Sequence, residues 1–287
     1  MIQLKAHAKI NLTLEVLGKR DDGYHNIVSV LQTIDLADEL RFEPHPEIVV
    51  ECDATNIQPE ENLAHKAALA IREALQEERG AKITLTKRIP TAAGLGGGSS
   101  DAAATLVGLS RLWEQDLSPG DMGHVAQALG SDVSFFLVGS TALVEGRGEI
   151  VTPLPELGET WAVLATPPIE LLNKTARLYG ALAESDYTFG SATRGLVLAL
   201  RGGRGLTPDR IFNAFESVAG GIFPGFAEYR DSLVDAGAPP VHLAGSGPTL
   251  FALTENAEEA AALRERWDVL GGAAQVVKTI ATPYNRA

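Results

Sequence analysis

The sequence predicts an α+β protein built as two domains. The prediction rests on period-two alternation at the start of the chain, a strand–glycine loop–helix between Lys82 and Leu112, and a tail that reads β-turn-β-α-β from Val241 to Ile280. At 287 residues the chain is about twice a typical single domain. Pro153, Pro155 and Gly158 mark a boundary, with residues 1–155 forming one domain and residues 156–287 the other. The tail suits an antiparallel sheet backed by helices.

Taken in order, Ala8 to Leu17 alternates as a half-buried strand, with Ala8, Ile10, Leu12, Leu14 and Val16 on one face and Lys9, Asn11, Thr13 and Glu15 on the other. Lys9 and Asn11 therefore project together, about 7 Å apart. Gly18 to His25 is a polar turn ending in Tyr24 and His25. Asn26 to Val50 reads as strands interrupted by Pro44 and Pro46, and residues 60–78 as an amphipathic helix stopped by Gly80. Asp121 to Leu129 is a short helix, Gly130-Ser131-Asp132 breaks the chain, and Thr141 to Val144 is a strand. Beyond the boundary, Trp161 to Ala165 is a strand, while Lys174 to Glu184, Arg194 to Leu200, Arg210 to Val218 and Phe226 to Ala236 read as helices. Two short strands around Gly245-Ser246-Gly247-Pro248, a helix from Ala257 to Trp267 and a strand from Ala274 to Ile280 complete the tail.

The formal charge of −13 comes without any basic block, which argues against binding nucleic acid or an anionic membrane. A phosphate substrate must then be met by backbone amides, a few basic side chains or a metal. Cys52 stands alone, which excludes an internal disulfide and a cysteine-rich zinc site. Val133 to Val144, the most apolar stretch, is too short to span a bilayer. The expectation is a soluble cytoplasmic protein.

Between Ile89 and Leu106 the chain reads Ile-Pro-Thr-Ala-Ala-Gly-Leu-Gly-Gly-Gly-Ser-Ser-Asp and then small helix formers. Glycines let a backbone approach a ligand closely, and a helix N-terminus offers free N–H groups and the positive end of its dipole. Together they make a phosphate cradle. No lysine follows the glycines as a Walker loop requires. Ser99 stands where a dinucleotide fingerprint needs its third glycine, and the nearest acidic residue, Glu114, ends a helix. His-Arg-Asp and Asp-Phe-Gly are absent, which removes the protein kinases. Taken alone, Lys9 and Asn11 read as a polar strand face, Asp132 as a helix cap and Tyr24-His25 as a packing pair.

The segment Pro90 to Ser100 resembles the central motif of the GHMP kinases, the superfamily of galactokinase, homoserine kinase and mevalonate kinase. Ala8-Lys-Ile-Asn-Leu12 with Gly18-Lys-Arg-Asp-Asp-Gly-Tyr-His25 resembles the first motif of the branch that acts on a cytidylyl substrate in non-mevalonate isoprenoid synthesis. Leu243 to Phe251, which carries Gly245 and Gly247, resembles the third motif. The resemblance covers essentially the whole chain. It implies an N-terminal domain like ribosomal protein S5 and a ferredoxin-like C-terminal domain, with the site between them. It implies Lys9 and Asp132 as the catalytic pair, Asp132 accepting or orienting the substrate hydroxyl proton and Lys9 supporting the carboxylate and the developing alkoxide. ATP would lie on Pro90, Thr91, Ala92, Ala93, Gly94, Leu95, Gly96, Gly97, Gly98, Ser99 and Ser100, with Asn62 and Lys87 near the adenine. Mg²⁺ would bridge the phosphates, and no protein ligand for it is singled out. The small-molecule cytidylyl substrate would meet Asn11, Tyr24, His25, Thr175 and Tyr179, with Tyr24 and His25 on the cytosine and Tyr179 on its other face. The chain departs from the pattern at Ser134, Ala244 and Asn173-Lys174, where the family has proline, serine or threonine, and Val-Ser.

Overall fold

The polar side of the opening strand is as deeply buried as the apolar side, because the chain returns to cover it. The computed structural model describes residues 1–54 and 59–281. In order, the first part runs β1 (Ile2–Lys19), β2 (His25–His45), β3 (Ile48–Cys52), α1 (Leu63–Ala74), β4 (Gly80–Thr86), α2 (Gly97–Trp113), α3 (Pro119–Leu129), α4 (Val133–Val138), β5 (Thr141–Gly146) and β6 (Ile150–Pro153). The second runs β7 (Trp161–Thr166), α5 (Lys174–Ala181), α6 (Ser191–Arg201), β8 (Phe212–Asn213), α7 (Glu216–Ile222), α8 (Phe226–Asp235), β9 (His242–Leu243), β10 (Leu250–Thr254), α9 (Ala257–Asp268) and β11 (Ala273–Lys278).

Among the described residues, the first sheet has the order β3-β4-β2-β1-β8, with β5 against β2 and β6 beyond it. The 21-residue β2 is its spine. One edge of β2 takes β1; the other takes β5 over Ile27–Gln32 and β4 over Glu39–His45. Helices α1, α2 and α4 bury their apolar faces on this sheet around Phe42, Phe135 and Phe136. The second sheet, β11-β7-β10-β9, is antiparallel throughout, as the tail pattern predicts. Between the two sheets Ile10, Leu12 and Ile34 meet Leu164, Phe251 and Val277, and Leu196 and Leu200 of α6 join them.

The expected half-buried strand is corrected here, since β1 is buried without a break from Ala8 to Val16. Its ladder shifts register between His7 and Lys9 and again between Asn11 and Thr13. Bulges of this kind bend a strand and re-aim its side chains, and they bracket the two residues expected in the site. Farther along the same face, Glu15 accepts from the Thr193 amide (2.7 Å), and Thr193 Oγ1 donates to Thr13 Oγ1 (2.9 Å). A carboxylate against the free amides of a helix N-terminus is favourable, so Thr13 and Glu15 anchor α6. Four further expectations also change. Pro44 does not interrupt β2, because β1 pairs only as far as Phe42 and leaves one side of β2 unpaired beyond it. The helix expected over residues 60–78 spans Leu63–Ala74, and Gly80 opens β4 rather than ending a helix. The helix expected over Arg210–Val218 contains β8 and turns helical only at Glu216, because β8 pairs with β1. The glycine loop enters α2 at Gly97, ahead of the serines.

Candidate active site

Two cavities, of about 1100 Å³ and about 910 Å³, meet along one seam. The polar residues common to both are Lys9, Ser99, Asp132, Lys174 and Ser246. Lys9 Nζ donates to Asn11 Oδ1 (2.7 Å) and lies 3.7 Å from Asp132 Oδ2. Asn11 in turn donates to Ser29 Oγ (2.8 Å), which fixes the amide. Asp132 occupies the N-cap position of α4 but makes no side-chain capping bond. Its carboxylate is therefore not spent on the helix, which answers the capping reading.

The smaller cavity is lined by the glycine loop from Pro90 to Ser99, with Asn62 and Lys87. The first amides of α2 lack intrahelical acceptors by position, and the Ser99 side chain stands beside them at the seam. Ser100 does not reach it. That residue is fully buried and lines neither cavity. The loop is shaped by the third motif: a Cβ at Gly94 would collide with the Ala244 carbonyl, and one at Gly245 would sit 2.6 Å from Gly94 O and 2.7 Å from Lys9 Nζ. Both glycines also have positive φ, at 85° and 55°. The Lys9 amide bonds Leu95 O (3.0 Å), which ties β1 to the same loop. The three sequence motifs thus meet backbone to backbone.

Asn62 lines the cavity while its Oδ1 caps α1 through the Ala64 amide (2.9 Å). Lys87 lines the same cavity, and it also has a structural role. Its ammonium is committed to Asp38 (2.5 Å) and Asp101 (2.6 Å), both buried beneath the loop. Asp38 also accepts from the amides of Arg88 (2.5 Å) and Ile89 (2.8 Å). Burial, with Asp38 alongside and against the pull of Lys87, pushes the Asp101 carboxyl up to about 7.

The larger cavity brings together Asn11, Tyr24, His25, Thr175 and Tyr179. Lys9, Lys19, Arg147 and Lys174 face a single carboxylate, Asp132, so this pocket is basic in an acidic protein. The Arg147 guanidinium lies 4.8 Å over the exposed Tyr24 ring. His25 stacks on Tyr179 (centroids 4.7 Å, 17° between planes), and Phe215 packs edge-on to Tyr179 at 4.9 Å. One face of Tyr179 is therefore taken by His25 rather than left for a base. Burial pushes the Tyr179 phenol up to about 12 and lowers the His25 imidazole from its usual value.

Residues 62–140 match the family model described as the GHMP kinases N terminal domain, and residues 199–270 match the GHMP kinases C terminal model. The chain belongs to the GHMP kinase family. It is 41% identical over 281 residues to a 4-diphosphocytidyl-2-C-methyl-D-erythritol kinase of Dehalococcoides mccartyi, covering 98% of this chain and 99% of the relative. It is 42% identical over 283 residues to the enzyme of that name in Symbiobacterium thermophilum, covering 97% and 100%. A crystal structure of a 4-(cytidine 5'-diphospho)-2C-methyl-D-erythritol kinase superposes with a TM-score of 0.83 at 33% identity, covering 97% of this chain and 99% of that one.

In this GHMP kinase several site residues lay outside the sequence reading. Asn213 donates to Leu243 O and Gly245 O (both 2.8 Å) and so holds the third motif's turn. From the sequence alone its segment reads as helix, whereas it lies in β8. Lys174 stood out only as a departure from the motif, and Asp38 carried no local pattern. Arg147, set between Gly146 and Gly148, carries no sequence pattern that marks it.

Proposed function

We infer that this chain transfers the γ-phosphoryl group of ATP to the 2-hydroxyl of 4-diphosphocytidyl-2-C-methyl-D-erythritol, a step of non-mevalonate isoprenoid precursor synthesis, in the cytoplasm. The observation that carries the reading is the seam. A glycine-loop cavity suited to a triphosphate and a basic, aromatic cavity suited to a cytidine diphosphate ester share Lys9, Ser99 and Asp132.

In this arrangement the nucleotide lies along the loop, its phosphates on the α2 amides. Tyr24 and His25 take the cytosine, while Arg147 and Lys19 face the diphosphate. The acceptor hydroxyl then lies between Asp132 and Ser99. Transfer breaks the bond from the γ-phosphorus to the β–γ bridging oxygen, which leaves on ADP, and forms a bond to the 2-oxygen. The hydroxyl proton leaves towards the Asp132 carboxylate. Lys9, held straight by Asn11, places positive charge beside the oxygen as it turns into an alkoxide. Asp132 and the Ser99 hydroxyl are hard oxygen donors at the seam and fit Mg²⁺, which takes few protein ligands beside phosphate and water. When bound, the ion neutralises charge on the triphosphate. ADP formation from ATP, Mg²⁺ and the cytidylyl substrate tests the reading. Turnover of mevalonate or homoserine instead, or ATP binding with no turnover of any acceptor, overturns it.

A further inference from the structure

Lys174 opens α5 at the point where the two cavities join, and none of the roles above uses it. Its ammonium has three N–H donors, and three acceptors of the third motif meet it: Ser246 O at 3.1 Å, Ser246 Oγ at 2.8 Å and Gly247 O at 2.6 Å. The next residue, Thr175, donates to the same Ser246 Oγ at 2.9 Å. A serine hydroxyl has two lone pairs and one proton. With both lone pairs filled from α5, the proton of Ser246 is left to point into the seam, on which Ser246 lies.

We propose that Lys174 is a positioning residue for phosphoryl transfer, holding the turn from Gly245 to Gly247 against α5 and making Ser246 an obligatory hydrogen-bond donor to the phosphoryl group in transit. The inference rests on the kinase reading above. As the γ-phosphoryl group leaves ADP and bonds to the acceptor oxygen, its equatorial oxygens sweep the seam. A preset donor there loses no energy to reorientation. The Lys174 charge lines both cavities at the seam and joins that of Lys9. The other titratable or charged groups lining the two cavities are Lys19, Tyr24, His25, Arg147, Tyr179 and Tyr187 on the acceptor side and Glu61, Lys87, Asp101 and Glu170 on the nucleotide side, with Asp132 common to both. Burial first, and then Lys9, bring the Lys174 ammonium down to about 8, against the pull of Asp132. The turn therefore loses its cation as the pH rises through that value.

Steady-state kinetics of Lys174→Met, Lys174→Arg and Ser246→Ala, with thermal unfolding of each, test the proposal. Lys174→Met and Ser246→Ala should each lower kcat about 10²-fold, the scale of one lost preorganised donor, while KM for ATP stays close to that of the unmodified enzyme. The double variant should lose little more than either single one, because the two residues act as a unit. The unmodified enzyme should lose kcat above pH 8. Lys174→Arg, which stays protonated, should recover turnover and abolish that limb. Unchanged kcat in Lys174→Met, fully multiplying losses in the double variant, or an alkaline limb that persists in Lys174→Arg overturns the proposal. So does a kcat loss that merely follows a fall in melting temperature. If the unmodified enzyme does not turn over the cytidylyl substrate, the proposed function falls by itself. The same variants are then compared on ATP hydrolysis, with water as acceptor and the same outcomes deciding.

Discussion

Replacing Lys87 with methionine separates two roles that the sequence left joined. The Lys87 side chain is 9% exposed and bonds two carboxylates that are 0% and 3% exposed. Each contact is a charge-assisted bond contributing about 1.5–3 kcal/mol, so two of them come to about 3–6 kcal/mol. That agrees with the roughly 3–5 kcal/mol lost when one partner of a buried ion pair is removed. Asp38 keeps the Arg88 and Ile89 amides, whereas Asp101 is left beside the like-charged Asp38 and must take a proton. Its carboxyl already sits at about 7, above the roughly 3.9 of an unfolded aspartate. Folding therefore takes up a proton between those values, and this group's contribution is complete below about pH 4 and lost as the pH rises through about 7. Without Lys87 the carboxyl rises further. The stability gap between the unmodified chain and Lys87→Met, read by urea unfolding, should widen from pH 6 to pH 8.5, and a second change, Asp101→Asn, should recover part of it. Below the unfolding range, KM for ATP should move little. A normal urea midpoint together with a large rise in that KM would show Lys87 to be an adenine contact and refute the reasoning.

Three shorter predictions follow from the same geometry. Asp132→Asn should lower kcat by about 10²–10⁴-fold and leave ATP affinity in calorimetry nearly intact; near-normal turnover removes Asp132 from the chemistry. Tyr24→Ala should raise KM for the cytidylyl substrate about tenfold or more, since base–aromatic stacking contributes about 1–3 kcal/mol. An equal rise for ATP would sink the stacking role. Gly94→Ala should cost about 1–3 kcal/mol from its positive φ alone and weaken nucleotide binding further by pushing the Ala244 carbonyl away. An unchanged ATP dissociation constant would show that the contact between the two loops does not shape the cradle.

The sequence made the local features legible and left the long-range ones hidden. The glycine loop, the strand carrying Lys9 and Asn11, and the β-turn-β-α-β tail each follow from short-range periodicity or turn chemistry, and each forms in its expected part of the chain, although the strand is buried on both faces and the loop turns helical at Gly97. What failed was any inference that needed to know a neighbour. Thr13 and Glu15 look like part of a solvated stripe until α6 arrives from beyond residue 190, and Lys9 and Asn11 until Ser29 and the turn at Gly245 close on them. Lys87 shows no sign in the sequence of its partner Asp38, which lies 49 positions away. Ser100 looks equivalent to Ser99, yet 100° of helical rotation turns one into the core and leaves the other at the seam. The 210–218 segment was misread because β8 owes its extended backbone to pairing with β1 rather than to its own composition.

The backbone contact between Gly94 and the turn at Gly245 sets a timetable. During synthesis the glycine loop leaves the ribosome long before the turn that braces it, by about 8–30 s for some 150 residues at roughly 5–20 residues per second. Throughout that interval the nascent chain holds every residue of the nucleotide loop and nothing for Gly94 to rest against. The bracing of the loop is thus acquired near the end of translation, and a chain truncated ahead of β9 keeps the whole glycine signature without it.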